Sequence, residues 1–281
     1  MLTIVYLIVI LFLLLFPDHT AQTAYEALKI FAADIVPTLF PYMVFCRLLC
    51  ARLRMLSIPV PLCAGILGIL GGSPSGISGV AMFSARLSRP MLHALCALTG
   101  TISPMFLLST VTVWSGTPGF GIKLLISHWC GAVFSAACAY ILNQTMHPVE
   151  EKGISARLSP FGTSAIAQSI DAVLQVGGCI ICYSVAAGIL TSLPFLPERL
   201  GVLLHAMLEI SGGTHAVLLS FKSGTLRSVT AAALCGFTGF SILSQNCAVS
   251  SAIGIRMPYL IVYAVLRALG AGMSMALFEF L

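Results

Sequence analysis

Two polar, glycine-rich motifs interrupt the apolar stretches of this chain. We call Gly71-Gly72-Ser73-Pro74-Ser75-Gly76 the first break motif and Glu209-Ile210-Ser211-Gly212-Gly213-Thr214 the second, and Gly76 and Gly212 lie 136 positions apart. A broken membrane helix frees backbone N–H and C=O groups, each of which costs several kcal/mol if it stays unpaired in hydrocarbon. Such breaks are tolerated where they are buried in protein or line a cavity, and many transporters bind their solutes there. The two motifs therefore predict two halves, each with a broken membrane segment.

The composition predicts that the chain lies in a lipid bilayer. Of its 281 residues, 58% are hydrophobic and 8% are charged, whereas a soluble domain carries about 25% charged residues. The mean hydropathy is +1.03. The basic side chains lie at the ends of apolar segments, as the positive-inside rule places them, so the net charge of +5 does not indicate a nucleic-acid partner. We therefore predict a polytopic, all-α membrane protein.

The cysteines fall within or at the edges of apolar runs, where cysteine behaves as a small hydrophobic residue. Cys179 and Cys182 have the spacing of a redox or metal motif, but no clustered histidine or carboxylate accompanies them. We therefore expect packing roles for the cysteines, and neither a metal site nor a cofactor.

Composition along the chain divides it into four parts, which are residues 1–23, 24–142, 143–160 and 161–281. Leu2–Phe16 is an apolar run without a basic start or a clear cleavage site. It therefore favours an uncleaved N-terminal transmembrane helix, followed by a turn, over a signal peptide. Residues 143–160 form the only long polar linker of the sequence. This linker separates a first half from a second half.

Each half shows the same order of predicted segments. A helical approach ends at Asp34 or Asp171 and leads into an apolar span, the break motif follows within a re-entrant hairpin, and two further spans complete the half. In the first half the segments are 35–49, 59–85, 92–114 and 123–142, and in the second half they are 172–193, 200–221, 229–249 and 258–281. The span 92–114 is interrupted by Gly100 and by Ser103-Pro104. We interpret Asp34 and Asp171 as helix caps or surface charges.

Glycines and aspartates of the two halves align at a nearly constant offset, which indicates an internal repeat. The matching pairs are Asp34/Asp171 at 137, Gly76/Gly212 and Gly100/Gly236 at 136, and Gly131/Gly270 at 139. Each half contains three full spans, an odd number, so the second half starts on the opposite membrane face and the repeats are inverted. The predicted fold is an N-terminal helix plus two inverted repeats, each with a broken, re-entrant hairpin, giving about seven full spans and two hairpins.

Glu209 is the one carboxylate well inside an apolar segment. A charged group in this position is costly and usually faces a cavity or a partner. It can bind a cation, take a proton or hydrogen-bond a polar solute, and the structural alternative is an ion pair with a basic group such as Arg267. His205, one helical turn earlier, and His128 are interpreted as packed, hydrogen-bonded side chains.

Polar residues in the span after each break motif complete a candidate site. Ser103-Pro104 and Ser244-Gln245-Asn246 occupy near-equivalent positions, and we expect them to face the break motifs across a midplane pocket. The predicted substrate-binding residues are Gly72, Ser73, Pro74, Ser75, Gly76, Ser103, Pro104, Glu209, Ser211, Gly212, Gly213, Gln245 and Asn246. No hydrolase, P-loop or zinc-protease motif occurs, so we predict no catalytic residue and no enzyme.

Several short motifs occur in an order that resembles the YlbJ-type sporulation integral membrane proteins, part of the wider group with a nucleoside-recognition, or Gate, domain. These motifs are Pro37-Thr38-Leu39-Phe40-Pro41-Tyr42, Gly72-Ser73-Pro74-Ser75-Gly76, Ser103-Pro104-Met105-Phe106, Leu208-Glu209-Ile210-Ser211-Gly212-Gly213 and Gln245. They span most of the chain after residue 24. The resemblance implies a multi-pass protein of the bacterial cytoplasmic membrane, a role in spore formation linked to the cortex, and transport of a nucleoside-like solute.

The sequence alone is compatible with three functions. The first is a carrier of a small polar or nucleoside-like solute, with a coupling cation or proton and with a homo-oligomer as one arrangement in the bilayer. The second is a non-transporting membrane scaffold of a sporulation complex. The third, a membrane enzyme acting on a lipid-linked substrate, is the weakest because Glu209 would be its sole catalytic group.

Overall fold

A computed structural model of the chain describes residues 2–53, 59–146, 164–192 and 194–280. Every regular element in these ranges is helical, which confirms the predicted all-α class. Within these described ranges, five helical stretches are long and apolar enough to cross a membrane, and they are Pro17–Leu49, Phe120–Thr145, Ala165–Thr191, Thr225–Ile253 and Met257–Phe280. The predicted number of full spans and the inverted relation of the halves stay predictions.

The N-terminal region differs from the predicted helix, turn and approach. Helix α1 (Leu2–Leu15) is followed directly by α2 (Pro17–Ile30), because a proline at the first helical position favours helix initiation where a turn was predicted. Helix α2 then continues through a π-helical turn (Phe31–Ile35) into α3 (Val36–Leu53). Asp34 lies inside that turn, so the prediction that it ends a helix is wrong. Its carbonyl oxygen accepts hydrogen bonds from Thr38 Oγ1 and Thr110 Oγ1.

The first break motif joins two short helices that pack against each other. Helix α4 (Val60–Gly71) ends at Gly72, whose φ is +61°, and α5 (Ser75–Met82) begins after Pro74. A Cβ atom on Gly76 would lie 2.8 Å from the carbonyl oxygen of Gly68, which places the two helices side by side. The predicted helical hairpin is therefore present, and its re-entrant position in the membrane stays a prediction. A 3₁₀ turn (Ser84–Arg86) leads from it to the next helix.

The first half ends with a broken helix and a long one. Helix α6 (Arg89–Thr99) stops at Gly100, and the chain becomes helical again near Pro104, with a π-helical segment (Phe106–Val111) and α7 (Thr112–Ser115). The predicted interruption thus lies between two helical stretches. Helix α8 (Phe120–Met146) extends into the predicted linker, and the rest of that linker lies outside the described residues.

The second half repeats this order of elements. Helix α9 (Ala165–Thr191) is continuous, and Ser164 caps its N-terminus, so Asp171 neither ends a helix nor caps one and is instead an exposed charge. Helices α10 (Glu198–Leu208) and α11 (Ile210–Ser220) meet at Glu209, which has an extended backbone. A Cβ atom on Gly213 would lie 2.1 Å from the Ala206 Cα atom, whereas seven residues of a straight helix span about 10.5 Å. This pair is therefore a hairpin.

The span predicted at residues 229–249 contains a break. Helix α12 (Thr225–Phe237) and α13 (Gly239–Ser250) are separated at Thr238, and Thr238 and Gly239 have φ values of +70° and +71°. A 3₁₀ turn (Ser251–Ile253) leads to α14 (Met257–Phe280). Helix α14 packs against α8 and α12, and Gly131 and Gly270 allow the α8 and α14 backbones to approach closely. Helix α8 also packs against α6, and α9 packs against α10 of the second hairpin.

Candidate functional site

The breaks of both halves meet at a cavity of about 50 Å³. Its polar lining comes from both hairpin tips and both broken helices, and consists of Ser73, Ser103, Glu209, Ser211, Ser241 and Gln245. The remaining lining is aliphatic or aromatic and comes largely from the π-helical turn, α3, α9 and the segment after the α6 break. The cavity is therefore a small, mostly apolar space with polar groups from the two halves. This volume holds one or a few water molecules.

The first hairpin tip is held against the break of α6. The backbone N–H of Ser73 donates to the Thr101 carbonyl oxygen at 2.7 Å. A Cβ atom on Gly72 would lie 2.6 Å from Ser103 Cα, and one on Gly76 would lie 2.5 Å from the Thr99 carbonyl oxygen. Glycine is required at both positions because a side chain would collide with backbone atoms.

Asn246 on α13 connects the second half to this tip. Ser73 Oγ donates a hydrogen bond to Asn246 Oδ1, and Asn246 Nδ2 donates to the Gly100 carbonyl oxygen at 3.4 Å. Asn246 is 1% exposed, so both of its polar atoms depend on these partners. Asn246 therefore ties the two halves together at this tip, and its predicted part in substrate binding stays a prediction.

Glu209 caps the helix that follows it. Its Oε1 atom accepts the Ser211 N–H at 2.8 Å and its Oε2 atom accepts the Gly212 N–H at 2.7 Å. The side chain lies at the cavity while the residue is only 1% exposed. An acidic group at the N-terminal end of a helix is stabilised by the helix dipole and by the otherwise unpaired N–H groups.

The alternative of an ion pair between Glu209 and Arg267 is not realised. Arg267 is 2% exposed, and its guanidinium group donates to the carbonyl oxygens of Ala97 at 3.0 Å and Gly236 at 3.2 Å, and to Thr238 Oγ1 at 3.3 Å. These acceptors lie near the C-terminal ends of α6 and α12, where helix dipoles favour a cation. The buried carboxyl group of Glu209 and the buried guanidinium group of Arg267 are thus each stabilised by helix ends.

Three buried polar atoms at the cavity have no hydrogen-bond partner within the part of the chain that the structure describes. They are Ser103 Oγ, Ser241 Oγ and Gln245 Oε1, on residues that are at most 5% exposed. Buried polar atoms in native proteins are nearly always paired with protein or with water. These atoms can therefore hold water or a solute in the cavity.

The predicted site residues fall into two groups. Ser73, Ser103, Glu209, Ser211 and Gln245 line the cavity. The others shape its surroundings without lining it, and they are Gly72, Pro74, Ser75, Gly76, Pro104, Gly212, Gly213 and Asn246. Sequence reasoning missed Ser241, although its position one helical turn before Gln245 on α13 would have signalled a shared helix face.

The two histidines near the site differ from each other. His128 Nε2 on α8 accepts the backbone N–H of Ile102 at 3.2 Å, which confirms that it is packed and hydrogen-bonded. His205 Nε2 is buried without a partner among the described residues, so the predicted hydrogen bond is absent at this atom, which lies 3.3 Å from the position of a Cβ atom on Gly212. Across the described ranges, no group of three or more His, Cys, Asp or Glu side chains is arranged to hold a metal ion.

Comparison with known proteins gives one informative similarity. The chain is 26% identical over 231 residues to the sporulation integral membrane protein YlbJ of Bacillus subtilis (strain 168). The alignment covers 68% of this chain, and the chain spans 57% of the length of that relative. No family model matches the chain, and no solved structure matches it. The chain is therefore a helical integral membrane protein similar to a sporulation membrane protein.

Proposed function

We propose that the protein is a non-enzymatic, transporter-like carrier that moves a small polar or nucleoside-like solute through the cavity between its two breaks. The observation that carries this proposal is the set of unpartnered, buried polar atoms of Ser103, Ser241 and Gln245 beside Glu209. An unpaired buried polar group is destabilising unless water or a solute pairs with it, so the position of these atoms at one cavity supports a bound water or solute there.

The proposal includes two inverted repeats. Its support is the order of elements, since a long helix, a hairpin, a broken helix and a second long helix occur on each side of the linker. Repeats of this kind place a solute site near the bilayer midplane and allow one part of the protein to move against another. A cation or proton bound near Glu209 would couple the movement of the solute to an ion gradient. The carrier would act as a monomer or as a homo-oligomer.

The cellular setting that we propose is the cytoplasmic membrane of a spore-forming bacterium. The support is the similarity to a protein named for sporulation and for its place in the membrane. The nucleoside-like character of the solute rests on the motif resemblance described above, which places the chain near the nucleoside-recognition, or Gate, group.

The small volume of the cavity favours a second candidate, a non-transporting scaffold of a sporulation complex. The cavity measures about 50 Å³, whereas sites for drug-sized ligands occupy about 300–1,000 Å³. A carrier must therefore open further to admit a solute as large as a nucleoside. A scaffold needs no such opening and would keep the site closed.

An uptake screen decides between the two functions. The full chain is reconstituted into proteoliposomes, and uptake of labelled nucleosides, sugars and amines is compared for the wild type and for Glu209→Gln. The matched control is Glu198→Gln, which makes the same chemical change at an exposed position of the same hairpin. A carrier takes up at least one solute, and Glu209→Gln alone reduces this uptake. A correctly folded wild type that takes up none of them supports the scaffold and refutes the carrier.

A further inference from the structure

Three backbone N–H groups at the second hairpin tip, those of Ser211, Gly212 and Gly213, are already paired. A half-helix N-terminus inside a membrane protein commonly binds an anionic part of the solute through its free N–H groups. In α11 the N–H groups of Ser211 and Gly212 donate to the Glu209 carboxyl, and that of Gly213 donates to the Glu209 carbonyl oxygen. This helix end therefore keeps little capacity to bind a phosphate or a carboxylate.

Backbone N–H groups are also paired at the first hairpin tip and at the break of α6. The N–H of Ser73 donates to Thr101, that of Gly76 donates to Gly72, and Pro74 has no N–H to offer. The N–H of Ile102 donates to His128 Nε2. The backbone around the cavity thus presents few free donors from either half.

Positive charge is also lacking at the cavity. No arginine, lysine or histidine occurs among the described residues that line it. Arg267, the deeply buried cation, donates from Nε, Nη1 and Nη2 to three oxygen atoms outside the cavity lining. It is held by the ends of α6 and α12 and cannot turn toward a bound anion without leaving those oxygens unpaired.

The side-chain atoms at the cavity without a partner among the described residues are three oxygen atoms. Gln245 Oε1 is an acceptor, the Ser103 and Ser241 hydroxyls can accept or donate, and the Gln245 amide nitrogen is an uncharged donor. A carboxylate has about four lone-pair positions, and the Glu209 carboxyl accepts two backbone hydrogen bonds, so acceptor capacity remains. An N–H or O–H donor of a solute would find several partners here, and a bond from a cationic donor to the carboxylate would be among the stronger ones.

We infer that this site takes small solutes that carry hydrogen-bond donors and no net negative charge, such as polyols, amides and ammonium compounds, and that it excludes phosphates and carboxylates. The inference deepens the proposed carrier function and rests on it. An anion in the cavity would be buried beside an acidic group without a counter-charge, and an unpaired buried charge is strongly destabilising.

Matched pairs of compounds test this charge selectivity. Ethanolamine is compared with phosphoethanolamine, and ribose with ribose 5-phosphate, by ligand-induced thermal stabilisation of the purified full chain and by uptake into proteoliposomes. We expect each parent compound to bind and enter at least about tenfold better than its phosphate ester, a difference of about 1.4 kcal/mol in binding free energy. We also expect the wild type to prefer ethanolamine over ribose, because the ammonium group of ethanolamine is a cationic donor to the Glu209 carboxylate. Glu209→Gln should lose this preference, while Glu198→Gln should behave as the wild type.

The outcomes separate the two proposals. If a phosphate ester binds or enters as well as its parent, the charge selectivity is refuted while the carrier function stands. If a folded Glu209→Gln protein still binds ethanolamine in preference to ribose, Glu209 does not set the selectivity of the site and the inference fails. If the wild type neither binds nor takes up any of the four compounds or the solutes of the uptake screen, the carrier function is refuted and the inference is refuted with it.

Discussion

Ser73 at the tip of the first hairpin donates a hydrogen bond to Asn246 on α13, although the two residues are 173 positions apart in the chain. Asn246 also donates to the Gly100 carbonyl oxygen at the break of α6. One amide group of the second half therefore holds two separate segments of the first half. These three segments form one part of the cavity wall, through Ser73, Ser103 and Gln245.

Replacing Asn246 by Leu should destabilise the protein. The change leaves Ser73 Oγ and the Gly100 carbonyl oxygen without this partner, and an unsatisfied buried polar group costs about 1–3 kcal/mol. The measurement is the unfolding free energy of the purified protein in detergent. Gln144→Leu, at an exposed position of α8, is the control. Equal unfolding free energies for the two variants would show that Asn246 does not hold the tip.

Arg267→Met should be more damaging than Asn246→Leu. Three acceptors lose their donor in the fully buried crossing of α6, α12 and α14, and each unsatisfied group costs about 1–3 kcal/mol. Arg267→Lys should recover part of the loss because an ammonium group can reach some of the same oxygens. The readout is thermal unfolding, with Arg256→Met at an exposed position as the control. A Met variant as stable as this control would contradict the role given to Arg267.

Gly213→Ala should open or destabilise the second hairpin. The added Cβ atom would lie 2.1 Å from Ala206 Cα, a backbone atom that cannot yield without moving a helix. Overpacking of this kind costs about 1–3 kcal/mol. The matched control is Gly178→Ala in α9, where nothing lies within 4 Å of the new atom and the gain in helix propensity favours alanine. Compared with the wild type, the unfolding temperature should fall for Gly213→Ala and rise for Gly178→Ala. A Gly213→Ala protein as stable as the wild type would refute the close approach of α10 and α11.

The proposed inverted repeats predict opposite membrane sides for the open ends of the two hairpins. Single cysteines are introduced at Ala85 and Ser223, both exposed, in a chain whose native cysteines have been replaced. A membrane-impermeant maleimide added outside oriented vesicles should label one of them and not the other. Val133→Cys, 58% exposed on the outer face of α8, should stay unlabelled in the bilayer. Labelling of Ala85→Cys and Ser223→Cys from the same side would exclude inverted repeats.

The sequence predicted the positions of the helix breaks better than it predicted the hydrogen-bond partners of the buried polar side chains. The two motifs and Gly100 predicted where helices stop, because glycine and proline act on the local backbone. The break at Thr238 was missed, since a threonine with positive φ is held there by its tertiary surroundings rather than by its own preference. The partners of Arg267 and Asn246 lie in other segments of the chain, so their spacing in the sequence carries no signal of the contacts.

The Glu209 carboxyl group and its two N–H donors all belong to the second hairpin, whereas the first hairpin tip has its partners in other segments of the chain. The acid and the groups that stabilise it lie within four residues of one another, so they travel together if that hairpin shifts. The tip of the first hairpin is instead hydrogen-bonded to Asn246 and to the α6 break, and it cannot move without breaking those hydrogen bonds. For the proposed carrier, this difference predicts that movement begins at the second hairpin, while the first hairpin keeps its bonds to Asn246 and to the α6 break.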